Sequence, residues 1–260
     1  MTREIILLLI IAIGPWVFSP RRAGSSADLI SDVVVLISDN AEWRVVRSRY
    51  SREACAPSPW GEFFQTAIGE GKPARNVIFF HGGWGKVAAA GSTQYCIDKW
   101  KPRVVINLGT CGGFRGDVAR YDVILADRTV IYDIREAMGD PQQAISDYAA
   151  SIDLTWLGAD FPTRVKKTLL VSADRDIVPS EIPELRQKYH AVAADWESGA
   201  IAYTCARNKQ RLLILRGVSD LVGPDTGGDA YGNPQAYEDG AKVVMTRLLD
   251  ELPLWLARCR

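Results

Sequence analysis

The chain has 260 residues, 47% of them hydrophobic and 24% charged, an ordinary globular composition with enough length to bury one large core. Lysine plus arginine balance aspartate plus glutamate at 31 each, so no overall field favours nucleic acid or an anionic membrane, and a small-molecule partner fits better. The five cysteines lack CxxC spacing and the only histidines are His81 and His190, which leaves little material for a metal site, a disulfide framework or a serine–histidine triad; chemistry must rest on carboxylates.

Residues 5–18 (IILLLIIAIGPWVF) form a continuous apolar run. It is shorter than the roughly 17 to 25 residues of a spanning helix and contains Pro15. Arg21 and Arg22 follow the run while Arg3 is offset by Glu4, a pattern that opposes export. The expectation is a cytoplasmic protein in which residues 1–32 are an apolar segment and linker ahead of a catalytic domain over 33–260. The alternative is a form exported, or tethered to a membrane, through residues 5–18.

Val33–Ile37 (VVVLI) is an uninterrupted β-branched run, the signature of a strand buried on both faces, and similar runs recur at 77–80, 104–107, 122–126, 168–171 and 212–215. Helical stretches over 86–99, 198–208 and 235–249 alternate with them. This predicts an α/β fold, a three-layer α/β/α sandwich with a mixed central sheet. The longest irregular stretches are 137–157 and 221–234, and in such folds the loops beyond strand ends carry ligands.

Three segments place small or acidic residues directly after a buried strand. In VVINLGTCGGF (104–114), Gly109, Gly112 and Gly113 permit positive φ, so that backbone amides and the Thr110 hydroxyl can face a ligand; a plain tight turn is the other option. In AADWESGAIAYTCA (193–206), Asp195 and Glu197 open a helix, where an acid can merely complement the dipole or can accept both hydrogens of a ribose diol. In LLILRGVSD (212–220), Asp220 can cap the next turn or protonate a departing base.

In order and spacing these segments, together with HGGWGKVAAAGSTQYC (81–96), resemble the nucleoside phosphorylase superfamily, and within it the 5'-methylthioadenosine/S-adenosylhomocysteine nucleosidases. The resemblance covers nearly the whole chain after residue 32. It implies a nucleoside phosphorylase-like fold, a purine nucleoside as partner, no cofactor or metal, and assembly as a homodimer. It places Glu42 where the nucleosidases carry the carboxylate that activates water, Glu197 where the ribose hydroxyls bind, and Asp220, with Ser219 beside it, where the purine is protonated. Arg216 is close enough in sequence to set the environment of this acid. Thr110, Cys111 and Gly112 fall where the family has small residues facing the ribose and water.

Two departures affect the substrate. Asp176, followed by Ile177, stands where an aromatic residue usually faces the base, and Trp196 stands where a methionine usually precedes the ribose glutamate. A futalosine-like nucleoside or another 5' substituent therefore stays open beside methylthioadenosine. The expected mechanism breaks a glycosidic bond through an oxocarbenium-like sugar, with Asp220 protonated and Glu42 ionised. Ile106, Asn107 and Leu108 occupy the strand in which the phosphorylases carry a phosphate-binding arginine, which favours a hydrolase; Arg44, Arg47 and Arg49 keep a phosphorylase alternative alive. A catalytically inactive nucleoside-binding module is the third possibility.

Overall fold

The structure, a computed structural model, describes residues 31–69 and 74–259. The apolar run over 5–18 lies outside these residues. Among the described residues no helix is long and apolar enough to cross a membrane.

In chain order, β1 (Val33–Ile37) leads into α1 (Asn40–Arg49), followed by β2 (Ala56–Ser58), β3 (Gly61–Ile68) and β4 (Arg75–His81). Next come α2 (Lys86–Trp100), β5 (Val104–Phe114), β6 (Val123–Ile131), α3 (Pro141–Tyr148), β7 (Ala150–Ser151) and β8 (Lys166–Ser172). The last third holds α4 (Ile182–Tyr189), β9 (Ala193–Asp195), α5 (Ser198–Arg207), β10 (Arg211–Gly223), β11 (Gly227–Gly228) and α6 (Pro234–Leu256).

β1 is buried along its whole length because it sits mid-sheet, parallel to β4 on one side and β5 on the other. Parallel pairing continues through β5 with β10, β6 with β8 and β8 with β9, while β10 with β6 and β5 with β9 run antiparallel. The sheet is thus mixed, as expected. It also closes on itself, because β10 pairs with both β5 and β6, so that β5, β10, β6, β8 and β9 form a ring.

One face packs on α1 and α6 through Trp43, Val46, Val244, Met245, Leu248 and Trp255. The other packs on α2 and α5 through Ala89, Cys96, Trp100, Ala200 and Ile201. These are the outer layers of the sandwich. The stretch 137–157 is less irregular than its composition suggests: Asp140 caps α3, accepting from the Gln142 amide at 2.8 Å, and Pro141 occupies the first turn, where its missing N–H costs nothing. β3 escapes sequence analysis because its residues are mostly half-buried, so no long apolar run marks it.

Two strands run further than their apolar cores. β5 extends through the glycine segment to Phe114, and Gly109, Gly112 and Gly113 are absent from the positive-φ residues, so they form neither a turn nor a left-handed nest. They are glycines because neighbours come too close: a Cβ on Gly109 would lie 2.3 Å from Arg216 Nη1, and one on Gly112 would lie 2.6 Å from Ile177 Cδ1. β10 extends to Gly223 with a register shift between Val218 and Asp220. This bulge breaks the strand's alternation and lets consecutive Ser219 and Asp220 both reach one cavity.

α6 crosses β10 at the bulge, where a Cβ on Gly240 would lie 2.4 Å from the Ser219 carbonyl oxygen. Replacing a helical glycine by alanine ordinarily stabilises by roughly 1 kcal/mol. Here the obstacle is backbone, which cannot swing away. Gly240→Ala is therefore expected to destabilise, by about 1–3 kcal/mol, with urea titration as the measure; an unchanged or raised midpoint would show that α6 does not bear on this strand.

Candidate active site

The bulge, the end of β9 and the start of α1 converge on a cavity of about 440 Å³, in the size range of small-molecule sites. All ten residues singled out from the sequence line it: Glu42, Thr110, Cys111, Gly112, Asp176, Ile177, Trp196, Glu197, Ser219 and Asp220. Asp39, Trp84, Arg175, Tyr231 and Tyr237 join them and were not singled out from the sequence, although Asp39, Trp84 and Arg175 follow the ends of β1, β4 and β8.

Glu42 is 1% exposed, not a solvated helix acid. It is the third residue of α1 in a capping box: Asp39 accepts from the Ala41 amide at 2.6 Å, and Glu42 Oε2 accepts from the Asp39 amide at 3.2 Å. The other oxygen, Oε1, accepts from the Thr110 amide at 2.6 Å and the Thr110 hydroxyl at 2.8 Å. The amide and hydroxyl of Thr110, expected to face a ligand, are thus turned to the acid. Burial raises the Glu42 pKa, opposed by Arg216 and by the Thr110 bonds.

Glu197 precedes α5 but makes no side-chain cap. Its carboxylate turns back to accept from the Gly85 amide at 3.0 Å and from Arg216 Nη2 at 3.3 Å. Burial pushes its pKa up to about 8, against the attraction of Arg216. Asp195 behind it is held by Ser172 at 2.6 Å and by Ser198, and pairs with Arg216 Nε at 3.0 Å.

Arg216 was expected to serve Asp220. Instead it joins Glu42 (3.7 Å), Asp195 and Glu197, all buried. Burial opposes the charge on its guanidinium, but the three carboxylates outweigh that and hold it protonated. The cation near Asp220 is Arg120, whose Nε donates to the Ser219 carbonyl at 3.2 Å. Asp220 Oδ1 accepts from Ser219 Oγ at 2.6 Å. Burial raises the Asp220 pKa, opposed by that hydrogen bond and by Arg120. Cys111 is no nucleophile, since burial holds its pKa well above the ordinary thiol value.

Around this acidic floor the walls are aromatic. Trp84 and Trp196 stand 5.1 Å apart between ring centroids, each next in sequence to one end of the Gly85–Glu197 hydrogen bond. Tyr231 donates to the Ile177 carbonyl, and Arg175 pairs with Glu181 while lying over Tyr132. Arg44, Arg47 and Arg49 are absent from the cavity lining. They bind Glu238, the Tyr50 and Glu53 carbonyls, and Asp250 respectively. The site therefore offers carboxylates in two settings, one beside a hydroxyl and one locked to a backbone amide, and both lining guanidiniums already face carboxylates, Arg216 the inner acids and Arg175 Glu181 through its two terminal nitrogens, with Arg175 Nε left unpartnered.

A model of the phosphorylase superfamily matches residues 33–252. The chain is 30% identical over 192 residues to a 5'-methylthioadenosine/S-adenosylhomocysteine nucleosidase of Thermotoga maritima, covering 73% of this chain and 87% of that one. Its fold is similar to that of a nucleosidase of the same name from Colwellia psychrerythraea 34H in complex with adenine, at TM-score 0.69 and 17% identity over 88% of this chain and 96% of that one. It is also similar to a futalosine hydrolase mutant of Helicobacter pylori, at TM-score 0.65 and 16% identity over 86% and 99% of the two chains. With the family's span matched from β1 into α6, the chain belongs to the phosphorylase superfamily.

Proposed function

We propose that the protein is an N-glycosyl hydrolase that cleaves the base from a purine nucleoside of the 5'-methylthioadenosine or S-adenosylhomocysteine type. The observation that carries this is one cavity lined by both a buried acid beside Ser219 and a second buried acid fixed by Thr110, with both lining guanidiniums facing carboxylates. Asp220, its pKa raised by burial, keeps a proton to give to the departing base. Glu42, where two Thr110 bonds and Arg216 oppose the rise that burial and Asp39 cause, takes a proton from water in its ionised form as the sugar cation develops. Glu197 holds the ribose diol through its carboxyl group.

Water rather than phosphate is the nucleophile because phosphate needs free cations. Arg44, Arg47 and Arg49, which kept a phosphorylase open, are engaged away from the cavity. A binding module without turnover has little use for two acids in such different settings. The Trp84–Trp196 pair supplies flat apolar surface for the substituent at the far end of the sugar, which suits an alkylthio group and also a bulkier one, as in a futalosine-like nucleoside. The same reading makes the protein a cytoplasmic homodimer, on the family resemblance and on the position of Arg21 and Arg22 after the apolar run.

Incubated with methylthioadenosine, S-adenosylhomocysteine, adenosine, inosine or futalosine in phosphate-free buffer, the protein is expected to release free base and free sugar, identified by mass spectrometry. Asp220→Asn and Glu42→Gln should each lower kcat by about 10²–10⁴-fold. Glutamine still completes the capping box, so the Glu42→Gln fold should be intact by circular dichroism. Production of ribose 1-phosphate only when phosphate is added would replace the hydrolase with a phosphorylase.

Glu197 carries a second expectation. Its pKa of about 8 in the folded protein lies above the ordinary 4.5, so the folded state holds a proton that the unfolded chain releases. Stability from this group is therefore present below the ordinary value and is lost as pH rises towards 8. Glu197→Gln removes that loss and the diol acceptor together. The variant's Tm advantage over wild type should be larger near pH 8 than near pH 5, while KM rises roughly tenfold or more. A Tm difference independent of pH would mean that Glu197 is ionised throughout.

A further inference from the structure

The turn that leads into α2, Gly82 to Gly85, has little of its own to hold it: three of its four residues are glycines, Gly83 and Gly85 sit at φ 81° and 83°, and the one side chain, Trp84, is exposed. Ordering such a segment costs much conformational freedom. The start of α2 lacks a side-chain cap as well, because its N-cap is Gly85. Carboxylates from two other elements take that place: the Gly85 amide donates to Glu197 Oε1 at 3.0 Å, and the next amide, of Lys86, donates to Asp174 Oδ1 at 2.7 Å. The Lys86 side chain fixes the turn against them. Its ammonium, on a side chain 20% exposed, donates to both oxygens of Asp133 at 2.5 and 2.6 Å, and Asp133 Oδ2 also accepts from the Asp174 amide at 3.0 Å. Asp133, just past the end of β6, thus joins the start of α2 to the segment after β8 in one clamp.

We propose that Lys86, through its clamp on Asp133, positions Glu197 for the sugar hydroxyls. This role rests on the hydrolase reading above, in which Glu197 holds the ribose diol. Glu197 makes no side-chain cap on α5, so its carboxyl takes its orientation from other elements, with Arg216 Nη2 at 3.3 Å from Oε2 and the Gly85 amide on Oε1. Arg216 is shared with Glu42 and Asp195, whereas the Gly85 amide serves Glu197 and lies one residue from the lysine that the clamp immobilises. A diol is met at two points only by a carboxyl group whose plane is fixed. A loose turn therefore weakens the hold on the sugar. It leaves the bond-breaking acids in place, because Asp220 and Glu42 take their hydrogen bonds from Ser219 on β10 and Thr110 on β5. Lys86 is a positioning residue, acting on the reaction through Gly85 and Glu197.

The test compares wild type, Lys86→Met, Lys86→Arg and the double variant Lys86→Met with Asp133→Asn, all in the full chain. Methionine keeps much of the stem and loses the charge. The double variant leaves no unpaired carboxylate behind, which separates loss of the clamp from the cost of a bare acid. In both methionine variants KM for methylthioadenosine should rise on the order of tenfold while kcat stays within about twofold, because the lost interaction is made alike in ground and transition states. Arginine, which still pairs with Asp133, should recover most of the change in KM. The competitive inhibition constant of 2',3'-dideoxyadenosine, which has no diol, should stay within about twofold in all variants. A weakening equal to that in KM would mean that the clamp shapes the whole cavity, and it overturns the role assigned to Lys86, as does a wild-type KM in either methionine variant. Glycine-selective isotope labelling gives a readout without substrate by nuclear magnetic resonance. The Gly85 amide signal, identified by its displacement in Glu197→Gln, should move in Lys86→Met and exchange with solvent about tenfold faster or more, and should return towards its wild-type position in Lys86→Arg. An unmoved signal in Lys86→Met overturns the role. Should wild type turn over no nucleoside at all, the hydrolase reading fails by itself, and the amide signal still decides whether Lys86 holds Gly85 against Glu197.

Discussion

A guanidinium buried to 1% exposure among three carboxylates is the constraint around which this site is built. Arg216 on β10 holds Glu42 from α1, Asp195 from β9 and Glu197 from the start of α5, so one side chain ties together four elements that are far apart in sequence. Removing one partner from such a cluster leaves uncompensated buried charge, a cost of about 3–5 kcal/mol. The cluster also dictates its neighbours. Gly109 has no side chain because the guanidinium and the Glu42 carboxylate occupy the space where one would stand.

One cation against three acids leaves the cluster short of positive charge, and that imbalance is chemically useful. Burial raises the pKa of both Glu42 and Glu197, so the empty site holds its negative charge reluctantly. In the reaction proposed above, an oxocarbenium-like sugar would supply the missing positive charge only as the glycosidic bond breaks, so the fixed carboxylates would bind the transition state better than the neutral nucleoside. At the far end Asp220 sits outside this cluster, with Ser219 and Arg120 as its partners. The bulge in β10 creates the separation: Arg216 lies before it and Asp220 after it, on the same strand but in different electrostatic settings.

Asp195, Glu197 and Asp220 stood out in the sequence because they follow a buried strand or open a helix, though each also had a structural alternative as a cap or dipole partner, while Glu42 and Asp176 were marked only by the family resemblance. Arg216 was legible as an interruption of LLILRGVSD, but its partners were not, since nothing in a linear chain shows that Glu42 approaches it from 174 positions earlier. The glycines of β5 were visible as glycines while their reason was not: close approach and positive φ leave the same mark in a sequence, and only coordinates distinguish them. The ring closure through β10 and the bulge at Ser219 were invisible for a similar reason, because register is a property of two strands. Trp84 lies inside the 81–96 segment but was not read as a site residue, and Tyr237, the fourth residue of α6, carries no motif; both matter only through where α2 and α6 are docked.

The choice between water and phosphate is settled by charge at short range, not by the fold that hydrolases and phosphorylases share. Six carboxylates (Asp39, Glu42, Asp176, Asp195, Glu197, Asp220) and two guanidiniums (Arg175, Arg216) line the cavity. Arg216 is taken by the inner acids and Arg175 by Glu181. A phosphate dianion would enter a negative enclosure in which both guanidiniums already face carboxylates, with the Coulomb cost amplified by burial. Water meets no such barrier and needs only the acceptor that Thr110 and Arg216 hold in place. With Glu42 in the proposed role of base, a variant meant to convert this site to phosphorolysis must release a guanidinium as well as remove Glu42, because deleting the acid alone leaves five carboxylates around the anion.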